Sequence, residues 1–133
     1  MAVKEMAKNT ELNPIVSTLR ARFVDTARDK LDVIDQAIRD IDGNADTARA
    51  LEIKKTAHSL KGMAGSFGFM SVTRIAEAFE DYLAAAIEAD ALSRDGARQY
   101  CDAMQTIIES GEEPEENETA AVLAGLPAPA GTY

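Results

Sequence analysis

His58 is the only histidine in the 133-residue chain. On a helix, Lys54, Lys61, Gly62 and Gly65 are its neighbours on the same side, since residues three, four and seven apart share a face. The core stripe of that helix is Ile53, Ala57, Leu60 and Ala64. At 100° per residue the His58 ring lies roughly 140° from this stripe, so it is expected to point outward. Lys54, Lys55 and Lys61 gather positive charge there, in a chain whose formal net charge is −9. Gly62, Gly65 and Gly68 weaken the helix, each by about 1 kcal/mol relative to Ala in a helix interior. Gly62 and Gly65 also remove side chains from around the imidazole, and Leu51 shares the outward side. A frayed helix end would account for the glycines and a solvated face for the lysines. The two together with an outward histidine fit phosphoryl transfer to nitrogen better.

That chemistry needs a neutral imidazole, and a free one titrates near about 6.5. It needs room for in-line approach, and a cation to meet the phosphoryl oxygens, which Lys61 one turn away can supply. Glu80 lies on the next helix, roughly 80° from that helix's core stripe and therefore at the bundle boundary. If the two helices are antiparallel neighbours, Glu80 can accept a hydrogen bond from His58 Nδ1–H, fixing the tautomer with the Nε2 lone pair outward. Wheel geometry alone serves a plain surface glutamate equally well.

The elements that must position these residues follow from the apolar periodicity. Asn13-Pro14 reads as a helix start, with Asn as cap and Pro at the first helical position. Ile15, Leu19, Phe23, Ala27, Leu31, Ile34, Ile38 and Ile41 form one stripe, and Gly43 is expected to stop it. Asp46 or Asn44 can cap the second helix, whose stripe continues to Phe67 before Gly68 ends or bends it. Ser71 can cap a third, with Val72, Ile75, Ala76, Phe79, Leu83 and Ala86 inward. Ser93 can cap a fourth, with Ala97, Tyr100, Cys101, Met104, Ile107 and Ile108 inward, closed by Gly111. No segment alternates like a strand. Four such helices joined by short loops fold most simply as an all-α antiparallel four-helix bundle over residues 12–111. Residues 1–11 read as a loose arm. Residues 112–133 read as a solvated, acidic, Ala/Pro-rich tail or linker, with at most a weak helix over Thr119–Leu126.

Composition excludes several functions. Five glutamates, Glu112, Glu113, Glu115, Glu116 and Glu118, crowd the tail, and the rest of the chain is still acidic. With no basic stripe, nucleic acid is not an expected partner. No stretch is long and apolar enough to cross a bilayer, and the start of the chain lacks the apolar run of a signal peptide, so a cytoplasmic protein with no membrane partner is expected. Cys101, the single cysteine, lies on an apolar stripe and reads as core. A carboxylate-bridged metal bundle would need Glu-x-x-His, but position 55 is Lys and one histidine is too few, so no metal is expected. Gly62-x-x-Gly65-x-x-Gly68 follows no strand and cannot be a dinucleotide loop. No cofactor and no kinase site of its own are expected.

The run Ala57-His58-Ser59-Leu60-Lys61-Gly62-Met63-Ala64-Gly65-Ser66-Phe67-Gly68-Phe69 resembles the histidine phosphotransfer (HPt) family, whose pattern is His-x-Leu-Lys-Gly, then Gly, then an apolar residue and Gly. With the upstream stripe and the Val72, Ile75-Ala76, Phe79-Glu80 spacing, the resemblance covers roughly residues 15–110. It implies that His58 receives and donates phosphate, that Lys61 contacts the phosphoryl group, and that Gly62 leaves room for a partner. Glu at position 80 is similar to the phospho-accepting domain of CheA-like chemotaxis kinases, where many phosphorelay members carry Gln. The implied partners are receiver domains of response regulators or hybrid histidine kinases, or a histidine kinase catalytic domain. Leu51, Lys54, Lys55, Gly62 and Gly65 would form the surface they meet. Two other readings stand beside this one. The chain could be the N-terminal module of a larger CheA-like or hybrid signalling protein, or a receiver-binding adaptor without chemistry. An adaptor would need neither the histidine nor the lysine.

Overall fold

A computed structural model describes residues 13–130, so the expected arm at residues 1–11 lies outside the described residues. Five α-helices follow in order: α1 Asn13–Arg39, α2 Thr47–Ala64, α3 Met70–Ala89, α4 Arg94–Ser110 and α5 Glu116–Gly125, with a 3₁₀ turn at Gly65–Phe67 after α2. There is no strand among the described residues. Helix α2 packs on α1 and α3, and α4 packs on α1 and α3, which closes a four-helix ring. The fold is an antiparallel four-helix bundle, as the periodicity predicts.

The stripes make its core. Phe23, Ala27, Leu31, Ile34, Ile38 and Ile41 meet Ile53, Ala57, Leu60 and Ala64. All of the inward residues expected on α3 and α4 are buried as well. Three aromatic contacts add to the aliphatic packing: Phe23 stacks on Phe67 and Phe69, and Phe79 stacks on Tyr100. Cys101 is fully buried, and burial pushes its thiol up to about 12. It is a small apolar core residue, inert at neutral pH.

The α1 stripe differs from expectation at its start, because Ile15 and Leu19 are exposed together with Val16. Length explains this. At 1.5 Å per residue α1 spans about 40 Å and α2 about 27 Å, so the first turns of α1 run past the end of the bundle. The Asn13 side chain, the expected cap, lies outside the description. Helix α1 also ends four residues before Gly43.

Capping follows the sequence at α2 and α4. Asp46 accepts from Arg49 N at 3.2 Å, and Ser93 accepts from Gly96 N at 3.1 Å. It departs from it at α3. Ser71 is not the cap: it is a buried residue inside the helix, and its backbone N–H and hydroxyl both donate to the Glu113 carboxylate. The unpaired N–H groups of a helix start attract a carboxylate, and here the carboxylate arrives from 42 residues away.

That contact corrects the reading of residues 112–133 as a solvated linker. Helix α5 runs over Glu116–Gly125, with the Glu118 carboxylate accepting from Glu115 N at 2.9 Å. Thr119 is buried, Leu123 and Leu126 pack against the core, and the Tyr100 hydroxyl donates to the Pro127 carbonyl. The sparse apolar residues of the tail are too few to hold a helix alone but suffice once polar groups anchor both ends. Residues 131–133 lie outside the described residues.

Candidate functional site

Helix α2 carries His58 outward, with its side chain 69% exposed. The ring is nonetheless held. Glu80 of α3 places Oε2 2.9 Å from His58 Nδ1 and Oε1 2.8 Å from Lys61 Nζ. One carboxylate therefore joins the histidine and the lysine across the α2–α3 seam. Its side chain is only 14% exposed, and that of Lys61 is 27% exposed. The Lys61 ammonium forms an ion pair with Oε1 at 2.8 Å.

The charge states follow from this arrangement. Burial alone would push the Glu80 carboxyl up, but Lys61 and then His58 outweigh it and hold the group below the ordinary carboxylate range. The same pairing with Glu80 raises the Lys61 ammonium. Glu80 is thus an ionised acceptor, and an ionised carboxylate has no proton to donate. The proton in the 2.9 Å contact belongs to His58 Nδ1, which leaves the lone pair on Nε2, the nitrogen away from Glu80.

Leu51, Lys54, Lys55, His58 and Glu80 line one open groove of about 390 Å³. Leu51 is an exposed apolar residue on its wall. A Cβ added at Gly62, one turn beyond His58, would meet nothing within 4 Å, so the surface there is open. The arrangement offers an oriented imidazole nucleophile, a cation one turn away and a cleared approach.

A family model, the Hpt domain, matches residues 18–126. The chain belongs to the Hpt family. Hpt domains are the histidine phosphotransfer modules of two-component phosphorelays, carriers of phosphate that interact with receiver domains. The match runs through α5, so the docked tail helix falls within the Hpt domain. Searches of curated proteins and of solved structures returned no match. Among the described residues no helix of this Hpt domain is long and apolar enough to cross a membrane.

One expected member of the partner-facing surface has a different place in the Hpt domain. Gly65 faces α3: an added Cβ would stand 3.3 Å from Thr73 Oγ1 and 3.5 Å from the Met70 methyl carbon. Its missing side chain permits a close helix contact and does not clear the ring. Gly68 has its own backbone reason, φ +87°, a left-handed conformation that ends the 3₁₀ turn and reverses the chain into α3. Thr73 itself is not legible as part of the site from sequence. Its hydroxyl donates to the Lys61 carbonyl at 3.0 Å, and nothing in a single threonine at the start of a helix signals that contact.

Proposed function

We propose that His58 is the residue on which this Hpt domain accepts and donates the phosphoryl group, with Nε2 as the nucleophile. The observation that carries the reading is the exposed ring held by Glu80 through Nδ1 alone. In the forward step the Nε2 lone pair attacks the phosphorus of an aspartyl phosphate on a receiver domain. The N–P bond forms, the P–O bond to the aspartate breaks, and the aspartate leaves with the bonding electrons as a carboxylate. The proton stays on Nδ1, so the phosphorylated ring is cationic, and the Glu80 carboxylate 2.9 Å away offsets that charge. Return to a second receiver is the reverse of the same step.

Lys61 has a separate role. Its ammonium rests on Glu80 in the free protein and lies one turn from the ring, where it can turn to the phosphoryl oxygens as they arrive. Leu51, Lys54, Lys55 and Gly62 form the surface that a receiver covers, Leu51 by apolar contact and the lysines by their charge. Each half-reaction uses a partner's chemistry, including any Mg²⁺ that the receiver brings, so the chain is a carrier without a kinase site of its own. Exchange with receiver domains implies a cytoplasmic location.

The test is labelling with an aspartyl-phosphorylated receiver in one arm, and with a histidine kinase catalytic domain plus ATP in another. The wild type should gain acid-labile, base-stable phosphate, and His58→Gln should gain none. Undiminished labelling of His58→Gln, or phosphate with the stability of a serine ester, would end the proposal. The arm that labels faster identifies the donor.

A further inference from the structure

We infer that Thr73 is a positioning residue for phosphotransfer, its hydroxyl fixing the α2–α3 contact from which Lys61 and Glu80 meet. The inference rests on the reading of His58 given above. Lys61 touches α3 at two points: its backbone carbonyl accepts from Thr73 Oγ1 at 3.0 Å, and its ammonium lies 2.8 Å from Glu80 Oε1. Thr73 and Glu80 are seven residues apart, so they share one face of α3 two turns, or about 10 Å, along its axis. In a helix the carbonyls point toward the C-terminus and the side chains lean toward the N-terminus. Because α2 and α3 are antiparallel, those two directions run opposite ways along α3. Lys61 therefore spans the distance from Thr73 to Glu80, one end fixed by a hydroxyl and the other by a carboxylate.

The Thr73 end is the more constrained. Lys61 lies in the last turn of α2, where carbonyls run short of intrahelical donors. A threonine hydroxyl is short and, being β-branched, stiff at its first torsion. Gly65, one turn beyond Lys61, lets that hydroxyl approach, since a Cβ there would crowd it at 3.3 Å. Release of the hydroxyl would let the end of α2 slide or roll on α3. His58, one turn before Lys61, would carry Nδ1 away from Glu80 Oε2 with it. Orientation of the ring through Glu80 is what the transfer step depends on, whereas Leu51, Lys54 and Lys55 of the groove that a receiver covers precede His58 on α2, away from the end that Thr73 holds.

The experiment compares Thr73→Val, which keeps the shape and loses the hydroxyl, with Thr73→Ser, which keeps the hydroxyl. Single-turnover transfer from a phosphorylated receiver is followed as a function of receiver concentration. The ¹⁵N shifts of the His58 imidazole report its tautomers. In Thr73→Val the rate at saturating receiver should fall on the order of tenfold, as for other residues that orient a functional group through a second one. The receiver affinity should stay unchanged and the ring should lose its Nδ1–H preference. Thr73→Ser should recover most of the rate. Wild-type rate and ring spectrum in Thr73→Val would overturn the inference even if its melting temperature fell, and so would a Thr73→Ser protein as slow as Thr73→Val. If Thr73→Val does not fold, Thr73→Ala takes its place with the same two outcomes. The His58→Gln control separates the failures: labelling of that variant defeats the reading of His58, while normal transfer by Thr73→Val with a clean His58→Gln control defeats Thr73 alone.

Discussion

Glu80→Gln keeps the size of the side chain that joins His58 to Lys61 and removes its charge. In the native site an ionised carboxylate accepts from Nδ1–H at 2.9 Å, in a position only 14% exposed. Charge-assisted hydrogen bonds are about twice as strong as neutral ones, so the substitution should weaken this contact by roughly 1 kcal/mol. That difference bears most on the cationic, phosphorylated ring, and it corresponds to about a fivefold loss in the transfer step. A second loss follows from the amide nitrogen, which can donate to Nδ1 and so admit the tautomer with the proton on Nε2. Together the two should slow transfer roughly tenfold, with little change in receiver affinity, because Glu80 is mostly covered. Rapid-quench transfer from a phosphorylated receiver measures the rate, and the imidazole ¹⁵N shifts measure the tautomer. Combining Glu80→Gln with Lys61→Met then separates the roles of the lysine. If Lys61 meets the phosphoryl group, its loss still slows transfer when added to Glu80→Gln; if it acts only by holding Glu80, its loss in that double variant costs nothing further. A Glu80→Gln protein with native rate and native ring spectrum would refute the argument from charge.

Gly62→Gln should block transfer while leaving the helix intact, because its side chain enters open space beside His58; Gly62→Ala should stabilise the fold by up to about 1 kcal/mol, and a lowered melting temperature would show that the space is occupied. Glu113→Ala should cost about 1 kcal/mol by leaving the start of α3 uncapped, and truncation after Glu112 should cost more and lower the melting temperature by several degrees; an unchanged melting curve would mean that α5 does not dock. The Glu80 carboxyl is held below its ordinary value, as is that of Asp35 beside Arg98 and Arg39. Their contribution to stability is therefore fully present above the unfolded carboxylate pKa and is lost as pH falls through the lower folded values. Thermal unfolding of Glu80→Gln should accordingly be less sensitive to acid than that of the wild type, and equal slopes would sink the claim.

Periodicity makes the four bundle helices legible, because burying an apolar stripe is a local demand that every third or fourth residue records. It misplaces Ile15 and Leu19, since a stripe does not reveal where the neighbouring helices end. The tail escapes it for a related reason. Residues 112–126 hold few apolar side chains, and composition cannot show that Glu113 finds the start of α3 or that Tyr100 binds the Pro127 carbonyl. In the site, the outward direction of His58 follows from its angle to Ile53, Ala57 and Leu60. The contact with Glu80 needs the antiparallel pairing of α2 and α3 before wheel geometry can choose between a ligand of the ring and a surface glutamate.

The glycines show how one residue type serves separate ends within a single run. Gly62 meets nothing, Gly65 admits a hydroxyl, and Gly68 takes a left-handed turn. Gly62 lowers the helix propensity of the last turn of α2, and the close contact that Gly65 allows just beyond it helps to offset that loss. The pairing of α2 with α3 is thus set at its weakest end by Gly65 and Thr73, one turn past Lys61 and two past His58. In the role proposed for His58, a nucleophile that must be open to a visiting protein cannot be buried to hold it still. Here the ring is left exposed, and its orientation is held from behind by Glu80, whose own carboxylate stays covered and charged through Lys61.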